Sequence, residues 1–230
     1  MKRYSKIIVL LLCMGLLLTL STACSQIQKS LDVIGKGSVS SFGMLLEAMP
    51  ENVAEDKERG AWVLTAPDQA VRFMWSKNWD SSAAGIMLEL DARPFLAAGL
   101  DPDKLPDAYR YDGKTLTIGM ELGEEAIPYE EAKTPLASYE QIVFLKPQQI
   151  GYHMEMDHYG LSLGNGNMLE WAKDMDVNDK DIVFALNPES FLSAGVDPQG
   201  VEGWIFAQID THENGKSVRV DKFIKPFDLR

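Results

Sequence analysis

Phe95-Leu96-Ala97-Ala98-Gly99-Leu100-Asp101-Pro102 decides how this chain is read, because it returns 96 positions later as Phe191-Leu192-Ser193-Ala194-Gly195-Val196-Asp197-Pro198. Phe73 to Pro102 aligns with Leu169 to Pro198 without a gap, and eleven of the thirty positions are identical, Trp75/Trp171, Leu90/Leu186 and Gly99/Gly195 among them. At one fixed register that is too many for chance. The expectation is a tandem duplication of one unit.

The chemistry of the repeated block is structural. Ile86, Leu88 and Leu90 alternate, as do Ile182, Phe184 and Leu186, which predicts a strand with one buried face. Asp91 and Asn187 stand where a helix N-cap is wanted. Gly99 and Gly195 suit the left-handed position that closes a helix, and Asp-Pro prevents its continuation. The motif reads as strand, short helix, stop, and Asp101 and Asp197 read as turn formers.

Working outward, each copy gains a hairpin before the block. Trp62 to Ala66 and Ala70 to Trp75 flank Pro67-Asp68-Gln69; His158 to Leu163 and Asn167 to Trp171 flank Gly164-Asn165-Gly166. Trp75 and Trp171 are expected as core anchors, with a ligand-lining role as the competing reading. A second hairpin follows the block, through Asp112-Gly113-Lys114 in copy one and Asn214-Gly215-Lys216 in copy two. The Gly-Lys offset of 102 implies six extra residues there. His212 falls in that expected turn. Apolar segments closed by proline, 41–50 and 138–147, open the copies and predict helices, the second capped by Thr134 with Pro135 at its first position. The expected fold class is α+β, with short helices and antiparallel hairpins in two copies related by a pseudo-twofold axis. The expected boundaries are a leader 1–23, a polar tether 24–40, copy one 41–123, an acidic linker 124–137 and copy two 138–230.

Lys2, Arg3 and Lys6 precede an apolar run from Ile7 to Leu20, and Ser21-Thr22-Ala23 leads to Cys24. A run of that length is short for a bilayer span and its flanks suit export. The segment resembles a bacterial lipoprotein signal peptide with its lipobox. The resemblance implies cleavage before Cys24, diacylglycerol on the Cys24 sulfur, and an extracytoplasmic protein held to the cell membrane by its lipid. Ser25 is compatible with outer-membrane sorting where the cell has an outer membrane.

The formal net charge is −12. Without the three leader cations it is −15, which repels nucleic acid and argues against a nucleic-acid partner. The cysteines are Cys13 and Cys24, so a body without the leader holds neither a disulfide nor a multi-cysteine zinc site. No nucleophile elbow, P-loop or His-Glu-x-x-His motif occurs, so no catalytic residue is named. The densest polar run is Tyr152 to Tyr159. On one continuous strand His153, Glu155 and Asp157 share a face, opposite Met154, Met156 and His158. His153, Glu155, Asp157 and His158 are therefore the candidate ligands for a divalent metal, weighed against a solvated polar face over a methionine-lined core. The expectation is a membrane-anchored lipoprotein that binds a small molecule or an envelope protein without catalysis and without a cofactor. The alternative is a metal-assisted extracytoplasmic enzyme built on the His153–His158 cluster.

Overall fold

The computed structural model describes residues 31–77, 84–121, 132–154, 156–175, 181–213 and 216–227. Helix α1 covers 31–48. Then come β1 (Val53–Asp56), β2 (Ala61–Thr65), β3 (Val71–Ser76), β4 (Ala84–Asp91), helix α2 (Arg93–Ala97), β5 (Tyr109–Tyr111) and β6 (Thr115–Glu121). The second half repeats the order: α3 (Pro135–Leu145), β7 (Ile150–His153), β8 (His158–Ser162), β9 (Met168–Ala172), β10 (Ile182–Leu186), α4 (Glu189–Ser193), β11 (Ile205–Glu213) and β12 (Lys216–Phe227). The strands form two six-stranded sheets, ordered β1-β2-β3-β4-β6-β5 and β7-β8-β9-β10-β12-β11. Every pairing is antiparallel, and strand for strand the two orders are the same. The coarse α+β expectation holds, with sheet dominating.

The repeated motif folds as its chemistry dictates. Asp91 and Asn187 accept from the backbone N–H two residues on, at 3.0 and 3.1 Å, so each makes an Asx turn into its helix; the formal caps are Ala92 and Pro188. Gly99 and Gly195 close the helices at φ +100° and +97°, a region open to glycine. The Leu100 and Val196 N–H groups reach back to the Phe95 and Phe191 carbonyls. The Oδ1 atoms of Asp101 and Asp197 accept from the Asp103 and Gln199 N–H groups, the expected turn role.

The two motifs also meet. Asp101 N–H donates to the Ala194 carbonyl and Asp197 N–H to the Ala98 carbonyl, each at 2.8 Å. Phe95 stacks on Phe191 at 4.7 Å. A Cβ on Gly99 would lie 2.9 Å from the Gly195 carbonyl oxygen, so the close approach also needs the missing side chain.

The opening helices change sides. Ser41 on α1 donates to the Ala172 carbonyl at the end of β9, and Ser138 on α3 donates to the Ser76 carbonyl at the end of β3. Trp75 Nε1 donates to the Pro135 carbonyl at 3.0 Å. Each helix is thus bonded to the sheet of the other half. Phe42 stacks on Tyr139 at 4.0 Å and meets Trp75 and Trp171 edge-on. The inner faces of both sheets and the helices share one contiguous core.

Two boundaries differ from expectation. Residues 31–40, expected as tether, are helical, because Gly35, Ser38, Ser41, Phe42 and Leu45 form a buried stripe at helical spacing. The last hairpin is longer than six extra residues. Tyr111 pairs with Leu116, whereas Phe206 pairs with Phe223, so it is longer by twelve residues (223 − 206 against 116 − 111), six on each arm. The offset at the turn counts one arm only. His212 lies on β11 opposite Ser217, within a strand.

Candidate functional site

Two places carry chemistry beyond packing. The first is a cleft between α1 and α3. The helices run antiparallel: Gly35 faces Val143, Ser38 and Phe42 meet Tyr139, and Gly43 faces Leu136. Ser38 Oγ and the Tyr139 hydroxyl share a hydrogen bond beneath them. Burial pushes the Tyr139 phenol well above its ordinary range, so it stays protonated. Beside this contact the helices part to leave a cleft of about 390 Å³. Its apolar wall is Leu31, Gly35 and Val39 from α1 with Val143, Phe144 and Pro147 from α3 and just beyond; Asp32, Lys36 and Glu140 are exposed around it. Phe144, and Val33 in the first turn of α1 outside the cleft lining, are each 71% exposed. Small apolar ligands favour concave sites of this size with few polar groups. No described helix is long and apolar enough to cross a membrane.

The second place is the outer face of the β7–β10 sheet, where the candidate metal ligands lie. The continuous strand expected through 152–159 is instead a tight hairpin. β7 ends at His153, β8 begins at His158, and the two histidines are directly paired neighbours on one face. Asp157 occupies the turn at φ +54° and is drawn away: it accepts from the Tyr152 hydroxyl and lies 3.7 Å from Lys173 Nζ. That bond holds the Asp157 carboxyl below its usual range and pushes Tyr152 up to about 12. Met154 and Met156 are exposed, so no methionine-lined core lies beneath. Glu155 and Cys24 fall outside the described residues. Among the described residues, no group of three or more His, Cys, Asp or Glu side chains is arranged to hold a metal ion.

Beside the histidines stands a carboxylate the sequence pattern did not single out. Glu170 on β9 is buried, with Oε1 3.6 Å from His153 Nδ1. It lies in register with Gly160 and, one strand further, Gly151, and a Cβ on Gly160 would touch its Cγ at 3.6 Å. Burial raises its pKa, while His153 and Lys222 pull it back. Burial lowers the Lys222 pKa, and its ammonium donates to the Gly166 carbonyl at 2.5 Å. The signal that could have found Glu170 was the repeat itself, since 96 positions earlier stands Met74.

Trp75 and Trp171 are fully buried under the two helices, and neither lines the cleft. No known protein family matches the chain, and no curated protein or solved structure is similar to it.

Proposed function

We propose that this chain is a tandem duplication whose halves share one core through exchanged helices, and that it is a lipid-anchored extracytoplasmic binding protein. The lipid attaches at Cys24, and the ligand is a small, largely apolar molecule taken between α1 and α3. The observation that carries this reading is the cleft. It is concave, has an apolar wall and is formed jointly by the two halves, which are otherwise closely packed. The chemistry near it suits binding more than turnover, because Asp32, Lys36 and Glu140 are solvent-exposed.

The test uses the mature chain, residues 24–230 with Cys24→Ser, which holds every described residue. The dye 1-anilinonaphthalene-8-sulfonate should brighten on binding, and Val39→Trp, which fills the cleft, should weaken that binding about tenfold while the melting temperature holds. Equal dye binding by both proteins would remove the cleft as the site.

One observation favours the metal-assisted enzyme as a second reading: the hairpin sets His153 against His158 with Glu170 alongside. Elemental analysis of the same chain beside a His153→Ala, His158→Ala variant decides it, stoichiometric metal in the parent alone being the supporting result.

A further inference from the structure

The α1–α3 cleft sits close to where the lipid anchor would hold the chain. Leu31, the first described residue of α1, is itself part of the cleft wall. Only seven peptide steps separate it from Cys24. A fully extended chain spans at most about 3.6 Å per residue, so the cleft lies no more than about 25 Å from the lipidated sulfur. The flexible spacer expected from the sequence would have allowed more than twice that, but residues 31–40 are helix and shorten the reach.

Two further features orient this face. Phe144, which lines the cleft, and Val33, elsewhere on the first turn of α1, each expose 71% of their surface, and large apolar side chains of that kind partition into the headgroup–acyl boundary. The local charge is balanced, Asp32 and Glu140 against Lys36 and Lys146, within a chain of net charge −12. An acidic protein near an anionic leaflet turns its least negative face toward the surface.

We infer that the cleft takes an acyl chain of a phospholipid from the membrane in which Cys24 is anchored. Leu31, Val39 and Val143 form the wall along which the chain lies, Phe144 seats the cleft mouth at the interface, and Val33 is a second exposed apolar contact on α1. The inference rests on the lipid-anchor reading, and it names the ligand class for the cleft.

The test separates the two. Metabolic labelling with an alkyne-bearing palmitate asks whether Cys24 carries lipid, with Cys24→Ala as the blank. Independently, the lipidated chain in vesicles and the Cys24→Ser mature chain added to vesicles are irradiated with a phosphatidylcholine carrying a diazirine on one acyl chain, and cross-linked peptides are mapped. The inference expects adducts concentrated in 31–39 and 143–147, reduced at least fivefold by Val33→Glu with Phe144→Glu. Both positions are exposed, so folding should be kept; Val39→Trp gives the same loss by filling the cleft from within. Cleft adducts without palmitate on Cys24 would keep the ligand and remove the anchor. Palmitate on Cys24 with adducts elsewhere, or with none, would overturn the inference and leave the anchor. Cleft adducts on the Cys24→Ser chain that vanish on the lipidated chain would overturn it too, by assigning the cleft to the anchor's own chains.

Discussion

The outer faces of the two sheets solve one problem in opposite ways. In the first half, Met74 on β3 is fully buried and packs with Ala61, Val63 and Met87 in a small apolar cluster. Next to it the buried Glu89 carboxylate is held by two guanidinium groups, Arg72 at 2.6 Å and Arg59. In the second half the position of Met74 is Glu170, paired with Gly160 on one side and Val183 on the other, with His153 alongside. The groups beside Glu170 are Lys222 and, with Nδ1 at 3.6 Å, His153. Along the strands the halves share one order and pairing, yet one outer face sets its buried carboxylate against two arginines while the other holds a carboxylate whose pKa burial raises. The inner faces stay alike, where a change leaves a cavity in a shared core. The outer faces differ, where polar groups can be exchanged at lower cost.

The largest effect concerns the sharing itself. If the halves were independent, 24–123 and 124–230 expressed apart would each fold. The bonds of Ser41 to Ala172, Ser138 to Ser76 and Trp75 to Pro135 all cross between halves, and Phe42 of α1 meets both Trp75 and Trp171. Neither half alone should give a folded monomer, and mixing them should restore a 1:1 complex by size-exclusion chromatography and circular dichroism. A folded, monomeric 24–123 would break the exchange.

The parts legible in the sequence were those where local chemistry has one solution. Gly99 and Gly195 before Leu-Asp-Pro and Val-Asp-Pro could only end a helix, and Gly164-Asn165-Gly166 could only turn. The illegible parts failed for physical reasons. The first turns of α1 bury Gly35, Ser38 and Ser41, small residues that hydropathy does not mark but that let Val143 and Tyr139 approach. The hairpin at 154–157 has no glycine or proline; its left-handed position is taken by Asp157, held by Tyr152. The exchange of helices is invisible to any alignment, since likeness between two units does not say which helix covers which sheet. Among the candidate ligands, His153 and His158 meet as hairpin partners and not along one strand, and Glu170 is passed over because a single Glu between Leu169 and Trp171 looks like an ordinary solvent-side residue.

The next effect tests the outer-face contrast. Glu89→Gln removes the charge that two arginines share, and half-exposed partners limit the cost to about 1–2 kcal/mol at pH 7. Glu170→Gln should carry the opposite sign. Because burial raises the Glu170 pKa above its ordinary 4.5, the native state holds that proton more tightly than the unfolded chain does. Stability is therefore fully present below about pH 4.5 and is lost as pH rises through the raised value. At pH 7 the Gln variant should equal or exceed the parent, and the gap should close toward pH 4. Urea unfolding of both variants at pH 4, 5.5 and 7 reads this directly. Equal destabilisation by the two substitutions at pH 7 would mean that Lys222 and His153 hold Glu170 as firmly as the arginines hold Glu89.

The smallest effect lies in the core, where the halves are most alike and still not identical. Trp75 Nε1 donates to the Pro135 carbonyl, while Trp171 Nε1, equally buried, has no hydrogen-bond partner among the described residues. Trp→Phe removes the same ring volume at either site, so the cavity terms should nearly cancel in a comparison. What differs is the donor. At 75 the substitution breaks a bond and leaves the α3 carbonyl short of one partner; at 171 it deletes a buried N–H that was already costly. Trp75→Phe should therefore be less stable than Trp171→Phe by about 1 kcal/mol. The two chemical-denaturation midpoints measure it, with the slopes compared to show that the unfolded states match. Equal midpoints would show that Trp171 has a partner worth as much as Pro135, and the inner faces of the halves would then be alike even in their hydrogen bonds.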